Sequence, residues 1–141
     1  MTPISDNGIS RVWLDNGWVY KRQMMHLTNN EIWCLQAMSK VGYSPKAERM
    51  EIELIRTKYI KPEIVTDSTA FMMHFELVLN ALETCQIRHG DLTIKNIIVA
   101  DNKLYLIDFA ESRLFNDPRQ DKRPEGDYFW LKRSMETLCK Q

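Results

Sequence analysis

His89-Gly90-Asp91-Leu92-Thr93-Ile94-Lys95-Asn96 runs directly into Ile97-Ile98-Val99 and, past Asp101-Asn102-Lys103, into Leu104-Tyr105-Leu106-Ile107-Asp108-Phe109-Ala110. Two short apolar runs, Asn96–Val99 and Leu104–Ile107, flank a turn-forming Asp-Asn-Lys, and this predicts a β-hairpin. A hairpin brings its two ends together. Asp91 and Asn96 stand at its entrance and Asp108 at its exit, so three oxygen-bearing side chains are expected to converge. Carboxylate and amide oxygens are hard ligands, which suits Mg²⁺. A Mg²⁺ site with a spare carboxylate nearby is what phosphoryl transfer requires. The metal neutralises charge between phosphates, and the free carboxylate orients the attacking hydroxyl and takes its proton.

Upstream of this hairpin the chain begins with another. Arg11–Leu14 and Trp18–Lys21 surround Asp15-Asn16-Gly17, and Asn-Gly favours a tight turn because both residues tolerate positive φ. Thr28-Asn29-Asn30-Glu31 has the form of a capping box, with a helix expected over Ile32–Met38 and Gly42-Tyr43-Ser44-Pro45 stopping it. Two short strands are expected near Arg49–Glu53 and Leu54–Ile60, with Pro62 ending the second. From Ser68 to about Gln86, Phe71, Phe75, Val78, Leu79 and Leu82 recur at three- and four-residue steps. Met72, Met73 and Leu77 widen that stripe, which predicts one deep helix, the longest regular element. Residues 111–126, with Pro118 and Pro124, read as loop, and a last helix is expected from Tyr128 to about Leu138. The order implies an α+β arrangement.

Composition narrows the function classes. The 141 residues carry 19 basic and 19 acidic side chains, and this zero formal charge argues against a broad nucleic-acid footprint. The apolar share of 44% and charged share of 27% fit one folded domain rather than a disordered tail or coiled coil. No apolar run approaches the roughly 18–20 residues of a membrane span, and MTPISDNGIS lacks the pattern of a signal peptide. Cys34, Cys85 and Cys139 are each more than 50 residues from the next, so neither a disulfide framework nor a zinc site is expected. A cytoplasmic location follows.

The motif set resembles a known family. Asp91 with Asn96 five residues on, then Asp108-Phe109 after a strand pair, is similar to the catalytic and metal-binding loops of the protein-kinase-like superfamily. The wording His-Gly-Asp-Leu-Thr resembles its small atypical branch: the RIO kinases, the small kinase of the tRNA-threonylcarbamoylation complex, and related prokaryotic and viral forms. Glu31 with Leu35 and Gly42–Pro45, the run Leu54–Ile60, and Asp127–Arg133 extend the resemblance to roughly residues 11–135. It implies a reduced bilobal kinase-like fold spanning residues 1–141, with a β-rich N-lobe over 1–61 and a short helical catalytic lobe over 62–141.

The resemblance also implies roles. Asp91 would be the catalytic base, and Asn96 and Asp108 would hold Mg²⁺ and the phosphates of ATP. Lys21 would contact the α- and β-phosphates and pair with Glu31, although Lys46 and Lys58 compete for that place and the capping box alone would explain Glu31. The backbone near Lys58, Tyr59 and Ile60 would bind adenine. Leu92 and Phe109 would pack, His89 would be structural, and Asp127 would anchor the catalytic loop from below. Asp6-Asn7-Gly8-Ile9-Ser10 stands where a Gly-rich phosphate loop is expected, and one glycine opens the backbone to phosphate less than three would. Gly90 replaces an arginine that reads phosphorylated activation loops, Ala110 replaces a glycine, and 18 residues separate Asp108 from Asp127, leaving little room for a peptide platform.

The implied activity is an atypical serine/threonine kinase-like transfer of the γ-phosphate from ATP to a protein hydroxyl, including autophosphorylation. Three alternatives stand beside it: a small-molecule kinase acting on a sugar or antibiotic hydroxyl, a non-catalytic binding module, and an ATPase working in a complex. The slight N-lobe also suggests a protein partner or a homodimer.

Overall fold

In the computed structural model, which describes residues 1–114 and 125–141, an antiparallel sheet is built from β1 (Thr2–Asp6), β2 (Ser10–Asp15), β3 (Trp18–Gln23), β4 (Ala47–Glu51) and β5 (Leu54–Lys58). Its strand order is β1-β2-β3-β5-β4. Asn16 and Gly17 take φ of 54° and 82°, the pair of left-handed residues that a two-residue hairpin turn requires. That turn sets the register Asp15↔Trp18 through Ser10↔Gln23. The edge strand β1 has no expectation behind it in the sequence: every residue in it is exposed, so it leaves no alternation of buried and exposed positions to read.

Helix α1 (Met25–Lys40) crosses between β3 and β4. It starts earlier than expected, and the capping box is not formed. Met24 is the N-cap and makes no side-chain cap, while the Thr28 amide already donates to Met24 O at 3.0 Å. The Thr28 hydroxyl donates to Gln23 O and Met24 O at 3.1 Å each, and Thr28 lies within the first helical turn rather than ahead of it. The far end follows the sequence closely. Gly42 takes φ 87°, its amide donates to Ser39 O and that of Tyr43 to Met38 O, both at 3.0 Å. These are the two bonds of a Schellman stop.

The expected long helix is two: α2 (Ser68–Met72), capped by Asp67 on the Ala70 amide at 3.0 Å, and α3 (His74–Thr84). At 16 residues, α1 is longer than either. Phe71, Phe75, Val78, Ala81 and Leu82 are buried, whereas Met73 is 69% and Leu77 50% exposed. The buried stripe is therefore narrower than the methionines suggest. Past α3 come a two-residue strand β6 (Ile87–Arg88), a 3₁₀ turn over Ile94–Asn96, and the hairpin β7 (Ile97–Ala100) and β8 (Lys103–Leu106). Asp101 and Asn102, both at φ 55°, form its tight turn. Strand β9 (Arg113–Leu114) pairs with β6, within the stretch expected to be loop. Pro118, Pro124 and the rest of that stretch from 115 to 124 lie outside the described residues. Helix α4 (Glu125–Leu138) begins three residues before its expected start.

One core joins these parts. Leu35, Met38 and Ile55 from the sheet side and Phe71, Val78, Leu104, Leu106, Leu131 and Met135 from the helical side belong to a single buried cluster. Among the described residues no helix is long and apolar enough to cross a membrane. The three cysteines are free.

Cys34 sits inside this core, and its thiol is pushed up from 9.0 to about 12, first by burial and then by the negative charges of Glu31 and Cys85. The folded state therefore holds a proton that the unfolded chain releases above pH 9, so stability should fall as pH rises from 9 toward 12. Urea unfolding at pH 8 and pH 10.5 should show this, and Cys34→Ala should flatten the decline. An equal decline in the variant would show that Cys34 does not drive it.

Candidate active site

The hairpin β7–β8 and its flanks present polar groups to a cleft of about 310 Å³ beneath the sheet. Val12, Val19, Ile55 and Thr57 from the sheet and Ile98 and Ile107 from the hairpin supply apolar walls. Lys21, Glu31, Lys58, Tyr59, Ile60, Asn96 and Asp108 all line it. Strand alternation explains the placing of Lys21: Val19 and Lys21 share one face of β3, and that face is the roof of the cleft.

Lys21 Nζ lies 2.9 Å from Glu31 Oε1 and 3.2 Å from Asp108 Oδ1. Neither Lys46 nor Lys58 reaches Glu31; Lys58 Nζ instead stands 5.1 Å from the ring centre of Trp18. Burial would lower the pKa of Lys21, but the charges of Glu31 and Asp108 and the hydrogen bonds to both outweigh it and hold the ammonium above the usual lysine value. Glu31 is itself 3% exposed and fully engaged. Gln23 Nε2 donates to its Oε1 at 2.7 Å, and the Phe109 amide donates to its Oε2 at 3.2 Å. A buried carboxylate is stable only when paired and hydrogen-bonded in this way.

On the hairpin side, Asn96 Nδ2 donates to Asp91 O at 2.8 Å and to Asp91 Oδ2 at 3.1 Å. The amide nitrogen is thereby committed to the Asp91 loop, and the amide oxygen is the atom left to face a ligand. Asp108 sits in the left-handed region at φ 65°, which Asp tolerates better than most residues. Its side chain is 45% exposed and that of Asp91 54%. Asn96 and Asp108 offer two oxygen donors. Among the described residues no group of three or more His, Cys, Asp or Glu could cage a metal. A Mg²⁺ ion completed by phosphates and water needs only one or two carboxylates or amides, so the pair fits such an ion.

The loop before Asp91 is held from behind. Asp127, buried on α4, accepts from the His89 amide at 2.8 Å and from the Gly90 amide at 2.9 Å. His89 Nδ1 accepts from the Asp91 amide at 3.1 Å, so Nε2 carries the ring hydrogen and donates to Ile107 O at 2.8 Å. Its ring meets Phe109 edge to face at 4.7 Å. Gly90 takes φ 87°, a conformation in which an arginine would be strained. Leu92 and Phe109 are fully buried. Asp127→Ala would leave two backbone donors of this loop without an acceptor, and a loss of about 2–4 kcal/mol is expected in urea unfolding. A variant within 0.5 kcal/mol of the parent, roughly the scatter of ordinary surface changes, would refute the anchoring role.

Several supporting groups had no signal in the sequence. Asn30 Nδ2 donates to the carbonyls of Phe109, Ala110 and Ser112 at 3.0, 2.9 and 2.8 Å, clamping the chain just past Asp108. Ser134 Oγ donates to Leu92 O at 2.7 Å. Gln23, Asn30 and Ser134 are single polar residues in no motif, and only their tertiary partners give them a role.

Two expected ligand contacts are partly occupied from within. The amides of Ile9 and Ser10 donate to Asn7 Oδ1 at 2.9 and 2.8 Å, and that of Gly8 to Asp6 Oδ1 at 3.3 Å. The amides of Lys58 and Tyr59 donate to Lys46 O at 2.8 Å and Gly17 O at 3.0 Å. Side-chain caps and sheet bonds thus already use the Gly8, Ile9 and Ser10 amides offered to phosphate and two of the three amides offered to adenine.

The RIO domain family model matches residues 19–127. Among solved structures, the chain is similar to the Rio2 kinase–ADP/Mg²⁺–phosphoaspartate complex from Chaetomium thermophilum, with TM-score 0.68 and 14% identity, over 99% of this chain and 61% of that one. It is also similar to the kinase PK-1 of Cydia pomonella granulovirus, with TM-score 0.65 and 17% identity, over 84% of this chain and 55% of that one. The chain thus spans less than two thirds of the length of either relative. Among curated proteins no significant match is found.

Proposed function

Because this chain belongs to the RIO domain family, we propose that it is an ATP- and Mg²⁺-dependent phosphotransferase of the cytoplasm, whose acceptor is a serine or threonine hydroxyl of a protein, its own included. The observation that carries this reading is the convergence of Lys21, Glu31, Asn96 and Asp108 on one cleft, with Asp91 bonded to Asn96 at its rim. In this reading Glu31, fixed by Gln23 and the Phe109 amide, holds Lys21 toward the α- and β-phosphates. Asn96 and Asp108 hold Mg²⁺, which when bound supplies positive charge between phosphate oxygens. Lys58, Tyr59 and Ile60 border the adenine. With the Lys58 and Tyr59 amides engaged in the sheet, Ile60 is the residue of the three whose amide serves the base.

Asp91 orients the acceptor hydroxyl and receives its proton. Its exposed carboxylate is accessible to an acceptor from solvent, and its backbone is fixed through His89. Catalysis of this kind is mainly positioning and charge stabilisation, which the bonded loop and the Lys21 cluster supply. A second reading, ATP hydrolysis, is favoured by one observation: the Rio2 relative is described with ADP, Mg²⁺ and a phosphoaspartate, and this chain carries two aspartates, Asp91 and Asp108, with substantial exposure at the cleft.

Incubation of the purified chain with γ-labelled ATP and Mg²⁺, with and without a generic protein acceptor, separates these readings. Label on protein hydroxyls, stable to hydroxylamine, is the expected result. Release of inorganic phosphate without label on protein would establish hydrolysis instead. Neither product would overturn the enzymatic reading.

A further inference from the structure

Among the described residues, Lys95 is a cation beside Asp91 that the site leaves unused. It lies in the 3₁₀ turn Ile94–Asn96, between the residue assigned as base and the residue assigned to the metal. Its side chain is 72% exposed, and Nζ stands 3.9 Å from Asp91 Oδ2. Asn96 Nδ2 holds the same oxygen at 3.1 Å. The Asp91 carboxylate is thus fixed from its buried side by an amide and faced from its open side by an ammonium.

Among the described residues, the carboxylates of Glu31, Asp91 and Asp108 stand at or near the cleft, and Lys21 is bonded to two of them, at 2.9 and 3.2 Å. Lys58, also in the lining, has its Nζ 5.1 Å from the ring centre of Trp18. A phosphoryl group in transit spreads its negative charge over three equatorial oxygens, and with Asp91 as the base it would pass beside that residue. The contact of Lys95 with Asp91 is longer than a hydrogen bond and exposed, so it contributes little stability and costs little to leave. A flexible four-carbon stem lets the head group move by several ångströms.

We propose that Lys95 is a second phosphate-binding cation, which leaves Asp91 to contact the transferring γ-phosphoryl group in the transition state. The inference rests on the reading of Asp91 as the base. In the step, the acceptor O–H proton passes to the Asp91 carboxylate as the acceptor oxygen bonds to the γ-phosphorus. The bond from that phosphorus to the β–γ bridging oxygen breaks, and ADP departs with the electron pair. Protonation of Asp91 removes the charge that attracts Lys95 at the moment when the phosphoryl oxygens need it.

Lys95→Met, Lys95→Arg and Asp91→Asn test this together. Turnover of γ-labelled ATP, summed over transfer and hydrolysis, should fall by about 10²-fold in Lys95→Met, as for loss of a preorganised transition-state charge. Calorimetric binding of ADP–Mg²⁺ should stay within about threefold of the parent, while binding of ADP–Mg²⁺ with aluminium fluoride, a mimic of the transferring group, should weaken in proportion to turnover. Lys95→Arg should recover most of both. Equal losses for ADP and for the mimic, or no loss for either, would overturn the proposal, because Lys95 would then act uniformly or not at all. Inactive Asp91→Asn beside an active Lys95→Met would sink this inference alone. An Asp91→Asn variant as active as the parent would sink the reading beneath it as well.

Discussion

Asp91→Asn should lower phosphoryl transfer by about 10²–10⁴-fold, the range for loss of a positioned general base, while nucleotide binding changes little. The two effects separate because of where Asp91 stands. It does not line the cleft in which Lys21, Asn96 and Asp108 meet, but it is tied to that cleft through Asn96 Nδ2 at 3.1 Å. An asparagine can still offer a carbonyl oxygen to Asn96, so the loop should keep its shape, and the His89 ring still accepts the backbone amide at this position. What disappears, on the proposed reading, is the proton acceptor. kcat and kcat/KM should therefore fall together, as expected for an interaction that matters only in the transition state. Steady-state kinetics with γ-labelled ATP, beside calorimetry with ADP–Mg²⁺, reads both quantities. Turnover within a few-fold of the parent would remove Asp91 from the mechanism.

The second large effect is at Asp108. On the proposed reading its carboxylate is one of two oxygen donors, with Asn96, that hold the metal, and Mg²⁺ held by one or two protein ligands depends heavily on each. Asp108→Asn, which loses the carboxylate charge but keeps an amide oxygen, should shrink the difference between nucleotide affinity with Mg²⁺ and with EDTA, a difference of at least about tenfold in the parent on this reasoning. Asparagine is preferable to alanine here because of the backbone. Position 108 lies at φ 65°, which Asn tolerates and which would strain alanine, so alanine would mix a conformational effect with the loss of charge. Lys21 keeps its contact with Glu31 at 2.9 Å in either variant, and the cleft should stay formed. Nucleotide binding that still responds fully to Mg²⁺ in Asp108→Asn would refute the metal assignment.

What could be read without coordinates was local. Both tight hairpin turns, at Asn16-Gly17 and Asp101-Asn102, are written in residues that tolerate positive φ, and all four take it. The stop of α1 at Gly42 was legible for the same reason. The Asp91–Asn96 spacing puts two polar groups within one short turn, and they bond directly. Errors came where a pattern had two physical outcomes. Thr28 can accept an amide hydrogen or donate to a carbonyl, and the chain leaving β3 at Gln23 selected the second. The stretch from Ser68 has helical periodicity throughout, and its division at Met73 is slight: Met73 keeps right-handed dihedrals, its amide still donates to Thr69 O at 3.1 Å, and Phe71 and Phe75, four residues apart, are both buried.

The sequence by itself determined the β7–β8 hairpin, the turn chemistry and the central motif of the family resemblance, since each depends on residues within a few positions of one another, whose geometry is set by φ preference and strand period. Tertiary structure decided the rest of the site. Lys21 and Asp108 meet across 87 positions, Asn30 clamps carbonyls about 80 positions away, and Asp127 reaches back to His89 and Gly90. Such contacts exist only once the sheet and helices share one buried core, because burial of those apolar faces is what brings distant polar groups within hydrogen-bond range and makes leaving them unpaired costly.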